Sequence, residues 1–135
     1  MNRDELKKRT KEFALRAIKL VDALPRKTSA EVLGKQLLRS ATSVGANYRS
    51  AYRGRSEAEF VAKLGIVIEE ADESEYWMEL IGEASLMKKP RVDPLCREAS
   101  ELVAIFTASV RTARNKASSR KTPAQRTRPK APSAS

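Results

Sequence analysis

The chain has 135 residues, no histidine, a single cysteine (Cys96) and a formal net charge of +10. This length suits one domain with a single core. Without histidine, Ser-His-Asp triads, Cys-His pairs and most zinc or di-iron sites are excluded, and one cysteine excludes an internal disulfide. We therefore expect a non-enzymatic protein with no catalytic residue and no cofactor.

The first two predicted helices span about residues 4–24 and 28–51, where apolar residues recur at spacings of three and four. The proline that follows the first helix ends it, since the residue before a proline avoids helical geometry. Thr28 or Ser29 is expected to cap the second helix, with Glu31 completing a capping box from Thr28.

The third and fourth predicted helices span about residues 57–87 and 93–117. Ser56 and Glu59 form the expected capping box of the third helix. Asp93 and the proline after it open the fourth, as a cap followed by a first-turn proline. Because the connections are short, neighbouring helices should be antiparallel. The sequence therefore predicts an all-α, up-down-up-down four-helix bundle.

The basic charge is concentrated at the C-terminus. Residues 111–135 contain eight Lys and Arg and no acid, which leaves 19 basic and 17 acidic residues in 1–110. We therefore predict a bundle over residues 1–117 and a basic, disordered tail over 118–135. The tail is either a nucleic-acid-binding arm or a solubilising extension without a partner; its cations beyond the bundle are Arg120, Lys121, Arg126, Arg128 and Lys130.

Membrane association and secretion are not expected. No apolar run approaches the roughly 20 residues that a membrane span requires. The first ten residues, MNRDELKKRT, lack the apolar segment of a secretion signal. We expect a cytoplasmic location and no membrane partner.

A row of cations follows one stripe of the second helix, opposite its apolar face: Lys35, Arg39, Arg49 and Arg53. Cations spaced along a helix in this way could follow a phosphate backbone, which would make them nucleic-acid ligands. The alternative is structural: a solvated face, or cations paired with acids of a neighbouring helix or subunit.

Residues 40–51 are unusually rich in Ser, Ala, Gly and Asn, which favours close approach of another helix. Asn47 lies at the margin of the apolar face, as does Glu75 on the third helix. We predict a partly buried polar network in which Ser40, Asn47 and Glu75 satisfy one another. A ligand site is the alternative.

The third helix carries many acids between residues 69 and 83, but their angles around the helix are scattered. They should therefore not converge on one point, and no metal site is expected. The same helix has a second apolar strip formed by Ile66, Trp77 and Leu80. One buried stripe is enough for a bundle, so this strip predicts self-association with Trp77 as anchor. A different partner, or the tail folded back on the strip, is the alternative.

The sequence resembles the bacterial four-helix-bundle proteins first described from intervening sequences of 23S ribosomal RNA genes. The resemblance covers roughly residues 13–113 and is carried by residues 39–48 (RSATSVGANY), 59–60 (EF), 63–64 (KL), 69–74 (EEADES) and 76–77 (YW). Many members read Asn-Ile-Ala-Glu-Gly where this chain reads Asn-Tyr-Arg-Ser-Ala at 47–51. No role of that glutamate is therefore transferred.

The resemblance implies a bundle that assembles into a ring, typically a homopentamer. The family is also similar to the accessory variability protein of diversity-generating retroelements, which binds nucleic acid and partners a reverse transcriptase. Two functions follow as expectations. The first is an oligomeric protein that binds RNA or DNA through the cation row and the tail, as an accessory to a reverse transcriptase. The second is a structural or scaffold protein whose partner is another protein.

Overall fold

The computed structural model describes residues 1–119, which form four α-helices and no strand. They are α1 (Arg3–Asp22), α2 (Thr28–Ala51), α3 (Glu57–Glu83) and α4 (Lys89–Ser119). The prediction of an all-α four-helix bundle is confirmed. Among these four helices, none is long and apolar enough to cross a membrane. Most of the predicted tail lies outside the described residues, although α4 continues to Ser119.

Each connection between consecutive helices has five residues, so neighbours run antiparallel. Helix α2 packs against α1 and α3, and α3 packs against α2 and α4. Helices α1 and α4 meet along a smaller contact that closes the bundle. Every helix contributes a fully buried side chain to one core, for example Phe13, Leu37, Leu64 and Phe106. Truncating a buried phenylalanine of this kind to alanine costs about 3–5 kcal/mol.

The N-terminal ends of α2 and α3 show one predicted capping box that does not form and one that forms in part. Helix α2 is already helical at Thr28, and its N-cap is Lys27, without a side-chain cap bond. The predicted capping box from Thr28 is therefore wrong. Ser56 does cap α3, because its Oγ accepts from the Glu59 N–H at 3.1 Å. The Glu59 carboxylate reaches back to the N–H of Arg55, at 2.6 Å, instead of that of Ser56.

The connection between α3 and α4 differs most from expectation. Helix α3 ends at Glu83, because Ser85 adopts a left-handed backbone with φ of 58°. The N–H of Ser85 donates to Gly82 O at 3.1 Å and that of Leu86 to Ile81 O at 3.0 Å. This is the Schellman pattern that ends many helices, with serine in the place of the usual glycine.

Helix α4 begins at Lys89, four residues before the predicted Asp93. Pro90 falls in the first turn, where a missing N–H costs nothing. Pro94 lies inside the helix and forfeits one backbone bond. The helix continues through it because Val92 and Leu95, on either side, are buried in the core.

Candidate nucleic-acid interface

The predicted cation row lies on the outer surface of the bundle. Lys35, Arg39 and Arg49 are exposed on α2, and Arg53 is exposed two residues beyond its end. At about 1.5 Å per residue, the helical part of the row, residues 35–49, spans about 21 Å. This length would allow contact with several successive phosphates of a nucleic-acid strand.

Arg39 is tied to α3. Its guanidinium lies 3.1 Å from a carboxylate oxygen of Glu70 and 3.4 Å from one of Glu73. The pKa of Glu70 is nevertheless raised, because burial and the charge of Glu73 outweigh the attraction of Arg39. The structural alternative for the row therefore holds at Arg39, whose charge is partly compensated within the protomer.

The predicted network of Ser40, Asn47 and Glu75 is not formed. The Ser40 hydroxyl lies 2.9 Å from that of Ser74 on α3, and both side chains are fully buried. The side-chain amide of Asn47 donates to the Ser43 carbonyl at 2.9 Å, one turn back on its own helix. Glu75 faces α4, where its carboxylate lies within 4.8 Å of the Cys96 thiol. Ser74 is therefore the side-chain partner of Ser40, in the place predicted for Asn47 and Glu75.

The small residues of α2 do bring helices together. A Cβ placed on Gly45 would lie 3.4 Å from the Oγ1 of Thr10 on α1. Thr10 is itself buried, and its hydroxyl donates back to the Leu6 carbonyl at 2.9 Å. An alanine at position 45 would make ordinary van der Waals contact with Thr10, whereas a much bulkier side chain would force α1 and α2 apart.

The end of this helix pair holds an aromatic and cationic cluster that sequence reasoning missed. The guanidinium of Arg3 lies 3.7 Å from the ring centroid of Tyr52. The hydroxyls of Tyr48 and Tyr52 are 3.2 Å apart. The ring centroid of Tyr48 lies 5.2 Å from that of Phe106, and the ring centroid of Tyr52 lies 5.2 Å from that of Phe60. The Arg3–Tyr52 contact depends on the register between α1 and α2, and the phenylalanine contacts depend on how this end of α2 meets α3 and α4. A single-helix wheel supplies neither.

The predicted interface strip on α3 is only partly exposed. Ile66 is 37% exposed, while Trp77 and Leu80 are half-buried. The indole Nε1 of Trp77 is enclosed and has no acceptor within residues 1–119. Tyr76, which touches the Trp77 ring edge-on, is 53% exposed and is the larger aromatic surface. The expected anchor is therefore partly used inside the protomer, and Tyr76 was overlooked.

Two acids of α3 do converge with the cysteine of α4. The donor atoms of Glu75, Glu79 and Cys96 all lie within 4.8 Å of one another. Burial, followed by the charges of Glu75 and Glu79, raises the pKa of the Cys96 thiol to about 11. The expectation that the acids scatter was therefore incomplete, because α4 was left out of it. In the described part of the chain the group has no fourth donor, whereas structural zinc sites have four.

The tail cations Arg120, Lys121, Arg126, Arg128 and Lys130 lie outside the described residues.

Comparison with known proteins identifies the family. A family profile described as "23S rRNA-intervening sequence protein" matches residues 3–108. A crystal structure from Bacteroides thetaiotaomicron, described as a protein of unknown function from the S23 ribosomal protein family, is 32% identical. It superposes with a TM-score of 0.76 over 82% of this chain and 99% of its own length. No curated protein sequence matches the chain. The chain therefore belongs to the 23S rRNA-intervening sequence protein family.

Proposed function

We propose that this chain is a non-enzymatic, homo-oligomeric protein that binds RNA or DNA. The exposed row of Lys35, Arg39, Arg49 and Arg53 would contact phosphates. The tail cations would add affinity through counterion release. The observation that carries the proposal is the placement of the whole row on one outer surface of the bundle.

The four cations of the row differ in how much uncompensated positive charge they present. Arg39 is engaged by Glu70 and Glu73, so it contributes less free positive charge. Arg49 and Arg53 instead lie beside the α1 cations Arg3 and Lys7. The positive field is therefore strongest at the C-terminal end of α2, and we expect the main phosphate contacts there.

Self-association is the second part of the proposal. Apolar surface remains on the side of α3 that no other helix within residues 1–119 covers, formed by Ile66, Tyr76 and part of Leu80. A ring would bury this surface and repeat the cation row around its circumference. The number five comes from the resemblance to pentameric relatives, as does a reverse transcriptase as partner.

The test is a salt titration of binding to short RNA and DNA duplexes and single strands, with the full chain sized by light scattering. One variant replaces the four row cations with glutamine, and a second replaces the five tail cations from Arg120 to Lys130. Loss of affinity and a shallower salt dependence in the row variant would support the bundle surface. Loss only in the tail variant would make the tail the sole contact. No binding by the unaltered chain would refute the proposal.

A scaffold protein that binds another protein is the second candidate. Tyr76 and Ile66 favour it, because exposed aromatic and aliphatic side chains are typical of protein interfaces. In that case Tyr76→Ala would abolish capture of the partner, while neutralising Arg49 and Arg53 would leave it unchanged. The opposite pattern would exclude the scaffold function.

A further inference from the structure

A cleft of about 320 Å³ lies between the N-terminal end of α1 and the C-terminal end of α2. It extends the proposed interface onto a helix that the sequence did not implicate. Seven residues line it: Arg3, Asp4 and Lys7 from α1, and Tyr48, Arg49, Tyr52 and Arg53 from α2 and the turn after it.

The charges in the cleft do not balance. Four cations share it with one carboxylate, that of Asp4. Cations gathered at one cleft repel one another, and an anion bound between them relieves that repulsion. Because the protein walls of a cleft have a low dielectric constant, they strengthen the positive field that attracts the anion. Arg3 is also held in place by the Tyr52 ring, 3.7 Å from its guanidinium, which lowers the entropy lost when it binds.

The two tyrosines leave a hydrogen-bond donor available. Their hydroxyls are 3.2 Å apart, and a bond between them uses only one of the two protons. Tyr48 is buried, whereas Tyr52 is exposed at the cleft, so Tyr52 can present the remaining proton to a ligand. Burial raises the pKa of the Tyr48 hydroxyl, so Tyr48 keeps the proton that it donates to Tyr52.

We propose that this cleft binds a phosphate group, held by Arg3, Lys7, Arg49 and Arg53 and by the hydroxyl of Tyr52. A phosphate carries several strong acceptor oxygens and matches the forked guanidinium groups that three of these residues offer. The inference rests on the proposed function for the source of the phosphate, which would be a terminal or internal phosphate of a nucleic acid.

A second basic cleft supplies a matched control. Arg16, Lys19 and Arg91 line a cleft of about 240 Å³ towards the other end of α1, without a tyrosine. Removing two α1 cations from either cleft changes the net charge equally. A difference between the two variants would therefore report the site and not the overall field.

The experiment measures binding of a ten-nucleotide RNA, with a 5′-phosphate or a 5′-hydroxyl, to the full chain at several salt concentrations. We expect Arg3→Ala/Lys7→Ala to lower affinity about tenfold or more, and the salt slope by about one to two. We expect Arg16→Ala/Lys19→Ala to lower affinity by about threefold or less. Tyr52→Phe should weaken binding, and since it also removes the acceptor of the Tyr48 hydroxyl, its unfolding midpoint is measured to verify that it is folded at the assay temperature.

The outcomes separate the two proposals. A preference for the 5′-phosphate would identify a terminal phosphate, and equal affinity with the same loss in the α1 variant would identify an internal one. Equal losses in the two double variants would overturn the cleft while leaving nucleic-acid binding intact.

If the unaltered chain binds no RNA, inorganic phosphate becomes the probe, with the backbone amide signals of Tyr52 and Arg53 followed by NMR. Shifts that disappear in Arg3→Ala/Lys7→Ala would retain the cleft as a phosphate site without nucleic acid. No shift would overturn it.

Discussion

Arg9 of α1 donates two parallel hydrogen bonds to the carboxylate of Glu98 on α4. The Nε and one terminal nitrogen of Arg9 each lie 2.7 Å from a carboxylate oxygen of Glu98. The Glu98 side chain is only 13% exposed, whereas Glu101, which also contacts Arg9, is 64% exposed. This pair links α1 and α4, which share a smaller contact than any two consecutive helices.

We predict that Glu98→Gln lowers the free energy of unfolding by about 1–2 kcal/mol at pH 7, since a charge-assisted, two-pronged bond is lost. The contact with Arg9 lowers the pKa of Glu98 in the folded state. Its contribution is therefore present above the ordinary glutamate pKa and disappears as pH falls through the lowered value. Urea unfolding at pH 7 and at pH 3 measures the effect.

The matched control is Glu101→Gln, which removes an exposed carboxylate from the same arginine and should cost below about 0.5 kcal/mol. A cost for Glu98→Gln that stays constant down to pH 3, or equals that of Glu101→Gln, would contradict the role given to this pair.

Ser85 provides a stabilising substitution. Its φ of 58° is a left-handed backbone that costs an L-residue about 1–2 kcal/mol and glycine almost nothing. Ser85→Gly should raise the free energy of unfolding by about 0.5–1 kcal/mol, after the extra entropy of glycine in the unfolded chain. Urea titrations with an unchanged m-value measure it. Ser85→Ala keeps the strain and should give no gain; a gain with alanine would show that the backbone is not the cause.

Cys96 should alkylate slowly at neutral pH. Its pKa is raised to about 11, chiefly by burial, so little thiolate is present. The rate with iodoacetamide should keep rising up to pH 10, where an ordinary thiol has levelled off. Glu75→Gln should speed the reaction, because it removes a neighbouring negative charge. A rate that is half-maximal near pH 8.5, as for an unperturbed thiol of pKa about 8.5, would contradict this environment.

The apolar strip of α3 predicts the behaviour of the assembly. If the chain self-associates through this strip as proposed, Ile66→Glu should shift the mass measured by light scattering towards the monomer, because a carboxylate would then be buried in the interface. Leu15→Glu makes the corresponding change on α1, where leucine is 51% exposed, and should leave the mass unchanged. Dissociation by Leu15→Glu alone would place the interface on α1.

Much of the fold could be predicted because apolar spacing repeats over whole helices and because Pro25 and Ser56 mark helix boundaries. The end of α3 could not, since its left-handed residue is Ser85 and the sequence offers no glycine there. The early start of α4 was missed because core packing outweighs the single bond that Pro94 removes.

For the candidate site as well, one part could be predicted from the sequence and another could not. The stripe of Lys35, Arg39, Arg49 and Arg53 could be found because it depends on the geometry of one helix. The neighbours Arg3 and Lys7 depend on how α1 meets α2, which the sequence pattern does not determine. The partner of Ser40 was mispredicted for the same reason, since its contact with Ser74 depends on how α2 meets α3.

The absence of a side chain at Gly45 has a consequence for evolution and engineering. Gly45 sets the spacing of α1 and α2 against Thr10, and the cleft between Arg3 and Tyr52 lies about two turns farther along the same helix pair. A bulky residue at position 45 would widen that cleft while removing none of its charges. The affinity of the proposed phosphate site would therefore depend on a half-buried, uncharged position, and a survey limited to surface cations would not detect it.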